Sequence, residues 1–210
     1  MVNKTEWQEI VGLFPIPVYV TKSNSDLTSK EEIEKIIQEG IQKNAGNSST
    51  INSYIFDENL KELKQFCEYH IKKYVEEVIS PEEKLDFYIT QSWLNITEPG
   101  ENHHDHYHSN SIISGVFYLA TVENDNIIFN DPNFKIRDQI KIDSKRFNPL
   151  NATRWIFPVR NNELIIFPSW LHHGVDSNEK ATTDRISISF NTFVKGTLGD
   201  WKKSTELILK

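Results

Sequence analysis

The 210-residue chain predicts an α+β fold that is mainly β, an antiparallel barrel or jelly roll with N-terminal helices packed on one sheet. Two observations predict it. The hydrophobic period is helical as far as Pro81 and changes beyond it. At least seven short runs rich in Ile, Val, Phe, Tyr and Trp then alternate with Asn, Asp, Gly and Pro punctuation. A single domain is expected, with residues 1–80 as a helical part and 81–210 as the β core.

The first helix is expected from about Asp26, with Thr28-Ser29-Lys30-Glu31 as a capping box ahead of Ile33, Ile36, Ile37 and Ile41. Asn44 to Ser53 reads as a polar connection. A second helix is expected over Asp57 to Val78 on the stripe Leu60, Leu63, Cys67, Ile71, Tyr74 and Val78, and Ser80-Pro81 ends it. Cys67, the only cysteine, excludes an intramolecular disulfide and reads as packing.

Strands are expected near Leu85 to Ile96, Ile112 to Val122, Asn126 to Asn130, Phe134 to Ile142, Trp155 to Phe157, Leu164 to Phe167 and Arg185 to Val194. Asp131-Pro132 ends one of them, and Asp143 to Pro158 reads as a long surface loop bordering a site. Trp93, Trp155 and Trp170 read as packing residues.

A net charge of −7 without a block of Lys or Arg argues against a nucleic-acid partner and against adsorption to an anionic membrane. No stretch approaches membrane-spanning length, and Met1 to Trp7 lacks the basic and apolar pattern of a leader, so the cytosol is the expected location.

Six of the seven histidines fall in two windows, His103-His104-Asp105-His106-Tyr107-His108 and His172-His173. On a strand, His104, His106 and His108 would share one face, and His103, Asp105 and Tyr107 the other. His106 and His108 with a distant histidine give three convergent metal ligands and leave positions open. His103-x-Asp105 with the same distant histidine gives instead a facial triad of two histidines and a carboxylate, and both fit the spacing.

Arg185, Ser187 and Ser189 share a face opposite Ile186, Ile188 and Phe190. Inside a barrel, an unpaired guanidinium needs an anion. A carboxylate held bidentately by Arg185, with the Ser187 hydroxyl as a further donor, would supply it.

Three segments then carry a resemblance: His106-x-His108-x-Asn110-Ser111 with the strand to Leu119, Phe167-Pro168-Ser169-Trp170-Leu171-x-His173-x-Val175, and Arg185-Ile186-Ser187-Ile188-Ser189-Phe190-Asn191. Together with Leu13-Phe14-Pro15-Ile16-Pro17-Val18 and Ser92-Trp93-Leu94-Asn95, they resemble a small phage and bacterial group of 2-oxoglutarate/Fe(II)-dependent oxygenases related to prolyl 4-hydroxylase.

The resemblance implies a double-stranded β-helix, with Fe(II) held by His106, His108 and His173, and with Asp105 as the alternative second ligand. It implies that Arg185 binds the distal carboxylate of 2-oxoglutarate, helped by Ser187, with Tyr118 and Asn95 able to face the same pocket. The implied reaction consumes O2, hydroxylates a C–H bond of a small-molecule, peptide or protein substrate, and forms succinate and CO2. Rival readings are a cupin-like three-histidine enzyme without 2-oxoglutarate and a non-catalytic jelly-roll binding module. The oligomeric state is left open, a homodimer included.

Overall fold

The computed structural model describes Trp7 and residues 9–137, 139–140, 142–202 and 204–210. Met1 to Glu6, which carried most of the N-terminal reading, lie outside them. In chain order the elements are β1 (Tyr19–Lys22), α1 (Lys30–Gln38), β2 (Ile41–Lys43), β3 (Ser48–Thr50), α2 (Ile55–Glu58) and α3 (Lys61–Tyr74). A π-helical turn, Val75–Ile79, continues α3. The β core follows as β4 (Asp86–Thr97), β5 (His103–His106), β6 (Ile113–Ala120), β7 (Asn126–Asn130), α4 (Phe134–Arg137), β8 (Arg154–Pro158), β9 (Glu163–Pro168), β10 (His173–Val175), β11 (Arg185–Leu198) and β12 (Leu207–Leu209).

The strands form two antiparallel sheets. The larger has the order β1-β9-β6-β11-β4-β3-β2, with β12 added to β11, and the smaller runs β5-β10-β7-β8. Strand β11 is central to the first, paired with β4 over Arg185 to Lys195 and with β6 over Ile186 to Asn191. Two hydrophobic clusters separate three layers. Ile55, Leu63, Cys67 and Ile71 of the helices pack on Leu94, Phe117, Ile188 and Phe190 of the large sheet. Val116, Tyr118, Ile165 and Phe167 on that sheet's other face meet Ile127 and Phe129 of the small sheet. This is the jelly-roll, double-stranded β-helix arrangement, with the helices on one sheet as expected.

Several local expectations are corrected. The capping box falls one residue later, between Ser29 and Glu32, and Ile41 opens a strand instead of extending α1. Gly40, at φ +130°, takes a conformation that suits only glycine and ends that helix. Ser48–Thr50, inside the expected connection, pairs with β2 and β4 because its polar side chains find buried partners, as when Thr50 Oγ1 accepts from the Leu94 N–H at 3.2 Å. The expected strand near Phe134 is the single turn α4, which follows the turn at Asp131 that ends β7. Trp155 and Trp170 are 40% and 52% exposed, so neither is core.

Gly115 sits opposite Phe190 in the β6–β11 pair, where an added Cβ would overlap the Phe190 ring. Gly115→Ala is therefore expected to cost roughly 2–3 kcal/mol through overpacking. A thermal melt should show a midpoint lower by about 5–10 °C, and an unchanged midpoint would refute this packing.

Candidate metal and co-substrate site

The pocket opens between the two sheets, lined by His103, His106, His108 and His173 at one side and by Asn95, Tyr118, Arg185, Ser187 and Ser189 at the other. Its histidines come from both sequence windows because β10 pairs antiparallel with β5, placing His173 opposite His106. On its other edge β10 pairs with β7, with His173 opposite Phe129. His173 is 5% exposed and packs edge-on against Phe167, ring centroids 4.6 Å apart.

Ring orientation is fixed by backbone carbonyls. His106 Nδ1–H donates to the His104 carbonyl and His173 Nδ1–H to the Leu171 carbonyl, each at 2.8 Å. A carbonyl only accepts, so Nδ1 carries the proton in both rings and Nε2 keeps a lone pair for a metal. His108 lies just past β5, where its N–H donates to the Ser169 carbonyl at 2.9 Å. Behind that carbonyl, buried Ser169 Oγ bonds Ser111 Oγ at 2.6 Å and Ser114 Oγ at 2.8 Å. Asn110, at φ 55°, turns the chain back into β6.

One ligand atom from each of His106, His108 and His173 lies within 4.8 Å of the others. His103, His104 and His106 form a second group by the same measure. Strict alternation along 103–108 therefore fails. A register irregularity between β10 and β5 sets Val175 opposite His103 and His173 opposite His106, so His103 stacks on His106 at 4.6 Å. His104 is exposed, with Nδ1 near the Ala45 carbonyl, and His172 is exposed beside Tyr107. Asp105 belongs to neither group among the described residues, and its carboxylate packs against Gly174.

Burial pushes all four pocket imidazoles below their ordinary range, His108 to about 4 and His103 to about 3, with neighbouring histidine charge adding to it. The fold thus holds them neutral, while an unfolded chain takes up protons near pH 6.5. Between about pH 4 and 6.5 the unfolded state binds more protons, so metal-free protein should lose stability as pH falls through that window. Melts at pH 7 and pH 5 test this; a midpoint no lower at pH 5 would contradict it.

Arg185, Ser187 and Ser189 all turn inward, but the premise of an unpaired guanidinium is overturned. Arg185 Nε–H donates to both carboxylate oxygens of Asp125, at 2.9 and 3.1 Å. Both side chains are buried, 7% and 2% exposed. The Nη1 side of the guanidinium points toward Ser187 Oγ, 3.5 Å away, and the group lies 5.0 Å from the Tyr118 ring centroid. Asp125 stands in a run, Glu123-Asn124-Asp125-Asn126, that reads as turn punctuation, and nothing in its spacing marks it as the partner of a residue 60 positions away.

Among the described residues, Tyr118 Oη and Asn95 Oδ1 are buried at this pocket without a well-formed hydrogen bond, the Arg185 guanidinium being the nearest charge to the phenol. Burial pushes the Tyr118 phenol up, so it stays protonated and available as a donor. Asn95 Nδ2 donates to Ser189 Oγ at 3.0 Å. Rotating that amide by half a turn would let the serine hydroxyl donate and would turn the NH2 toward the pocket. The donor set therefore fits a divalent metal at one end and a carboxylate at the other.

A family model described as "Putative 2OG-Fe(II) oxygenase" matches residues 91–191, the segment that carries these histidines, Tyr118 and Arg185. That segment, just under half of the chain, is similar to the 2-oxoglutarate/Fe(II) oxygenases. Solved structures of that group share its fold. A prolyl-4-hydroxylase from Pseudomonas putida aligns at TM-score 0.54 and 10% identity, covering 84% of this chain and 92% of that one. A viral collagen prolyl hydroxylase from Paramecium Bursaria Chlorella virus-1, in its 2-oxoglutarate complex, aligns at 0.52 and 12%, covering 83% and 94%. HygX from Streptomyces hygroscopicus, with nickel and 2-oxoglutarate bound, aligns at 0.53 and 9%, covering 84% and 82%. No curated protein matches the chain. The three-histidine group fits the Fe(II) that the matched family's description names. Among the described residues, no helix is long and apolar enough to cross a membrane.

Proposed function

We propose that this protein hydroxylates a C–H bond of a small-molecule or peptide substrate while 2-oxoglutarate is converted to succinate and CO2. The observation that carries this reading is one pocket holding three convergent imidazoles at one side and the Arg185 guanidinium, with the buried Tyr118 hydroxyl, at the other. His106, His108 and His173 would hold Fe(II). When bound, Fe(II), 2-oxoglutarate and O2 supply the oxidant, one oxygen atom going to the substrate and the other to succinate. The protein's share is orientation and exclusion of water.

Arg185 and Ser187 are assigned to the far carboxylate of 2-oxoglutarate, and Tyr118 donates its phenolic proton to the same group. The amide of Asn95 adds a further donor once turned. Phe167 and Phe129 wall the metal end and keep the His173 ring upright. Trp93 packs beside His108, 5.8 Å between rings, at the pocket's edge. A net charge of −7 favours a substrate that is not a polyanion, and the fold's residues 1–210 act as one domain in this reading. The Arg185 end favours 2-oxoglutarate over the three-histidine chemistry that needs no co-substrate.

The test is anaerobic addition of Fe(II) and 2-oxoglutarate, expected to give a visible charge-transfer band, followed by succinate formation in air. Absence of both would overturn the proposal.

A further inference from the structure

The Asp125–Arg185 pair stands where two pockets meet. Asp125 sits in the turn before β7, fixed by its N–H donating to the Val122 carbonyl and by its own carbonyl accepting from Val159. It lines a second pocket, not the histidine pocket, and Arg185 lines both. Asp125 therefore reaches the guanidinium from the side away from the histidines and takes its Nε edge. The Nη edge, on the side of Ser187, is left for the pocket.

We propose that Asp125 holds Arg185 by Nε throughout binding and, by opposing its charge, lowers the affinity of the site for the co-substrate carboxylate. The inference rests on the co-substrate reading above. Three neutral imidazoles leave Fe(II) with both its charges, and the two carboxylates of 2-oxoglutarate cancel them. The guanidinium would then be a surplus buried cation, and Asp125 cancels it. The same pair is neutral when the pocket holds no anion, so neither state buries a net charge. The consequence is attenuation: a carboxylate arriving at Nη meets a cation whose charge is already opposed.

Titration of 2-oxoglutarate into Mn(II)-loaded protein tests this. Asp125→Asn keeps shape and one acceptor but removes the charge. It should bind 2-oxoglutarate about tenfold more tightly, by the loss of one like charge several ångströms away. Its ligand-free melting midpoint should fall, and the rise on adding 2-oxoglutarate should exceed that of the wild type. An ion pair with only a structural role would lower the midpoint and leave affinity equal or weaker, and that result overturns the inference. If wild type binds no 2-oxoglutarate, the co-substrate reading fails and takes this inference with it. Should Asp125→Asn not fold, the wild type with Zn(II) decides by NMR. The Arg185 Nε–H should stay protected from exchange when 2-oxoglutarate is added, and loss of that protection would show that the co-substrate displaces Asp125.

Discussion

Replacing His173 by alanine is expected to abolish stoichiometric metal binding and to lower 2-oxoglutarate turnover by about 1,000-fold or more. Loss of an outer partner to a metal-bound histidine costs roughly 10–100-fold, and loss of the ligand itself should exceed that. His173 is the member of its group that comes from β10, whereas His106 and His108 lie two residues apart at the end of β5. Without it every remaining candidate imidazole, His103 and His104 included, comes from the one edge segment 103–108, which should hold metal far more weakly. Metal analysis of protein purified without a histidine tag is the measurement. His104→Ala and His172→Ala, both at exposed rings, should retain metal, and so should Asp105→Asn, since Asp105 lies outside both convergent groups. Full metal content in His173→Ala would sink the assignment. Metal loss in Asp105→Asn would move the second ligand to that carboxylate.

Arg185→Ala should do two separable things. It removes charge-assisted hydrogen bonds to the co-substrate, which should weaken 2-oxoglutarate binding by about 100-fold. It also strands Asp125, whose side chain is 2% exposed, without its cation, at a cost of roughly 3–5 kcal/mol. Replacing the pair together, with Arg185→Met and Asp125→Leu, leaves no buried charge and should recover most of the thermal stability. It should recover none of the 2-oxoglutarate affinity. A melt and an anaerobic titration of the two variants distinguish the effects. A double variant that bound 2-oxoglutarate like the wild type would show that the cation has no part in binding it.

The large strands were legible because their burial is one-sided or complete over many residues. Arg185 to Phe190 alternates in sequence as it does in space, with Ile188 and Phe190 on the helices and Arg185 in the pocket. The apolar run Leu164 to Phe167 needed only its length and composition, because β9 is buried on both faces. What escaped notice depends on pairing with distant chain. Strands β2, β3 and β10 have three residues each and no readable period. Strand β2 is held by β3, β3 also by β4, and β10 by β5 and β7. His103 joined the pocket through a register irregularity that only the β10 partner creates. Asp125 was invisible for a related reason: the meaning of a buried carboxylate is its cation, and that cation is 60 residues downstream. The turn Asn161-Asn162 shows the opposite case, since Asn162 takes φ 65° by a preference written in its own side chain.

Strand β5 is the edge of the small sheet, paired among the described residues with β10 alone. Two of the three proposed ligands therefore ride on, or just beyond, the least anchored strand of the pocket, while the third is locked between neighbours. Local opening costs least at such an edge, so the segment 103–108 should exchange its amide protons early in metal-free protein. A metal bridging His106, His108 and His173 would act as a clasp across that seam. Chelation would then loosen the edge of the barrel before it touched the helical layer, giving the protein a working lifetime governed by how long it keeps its iron.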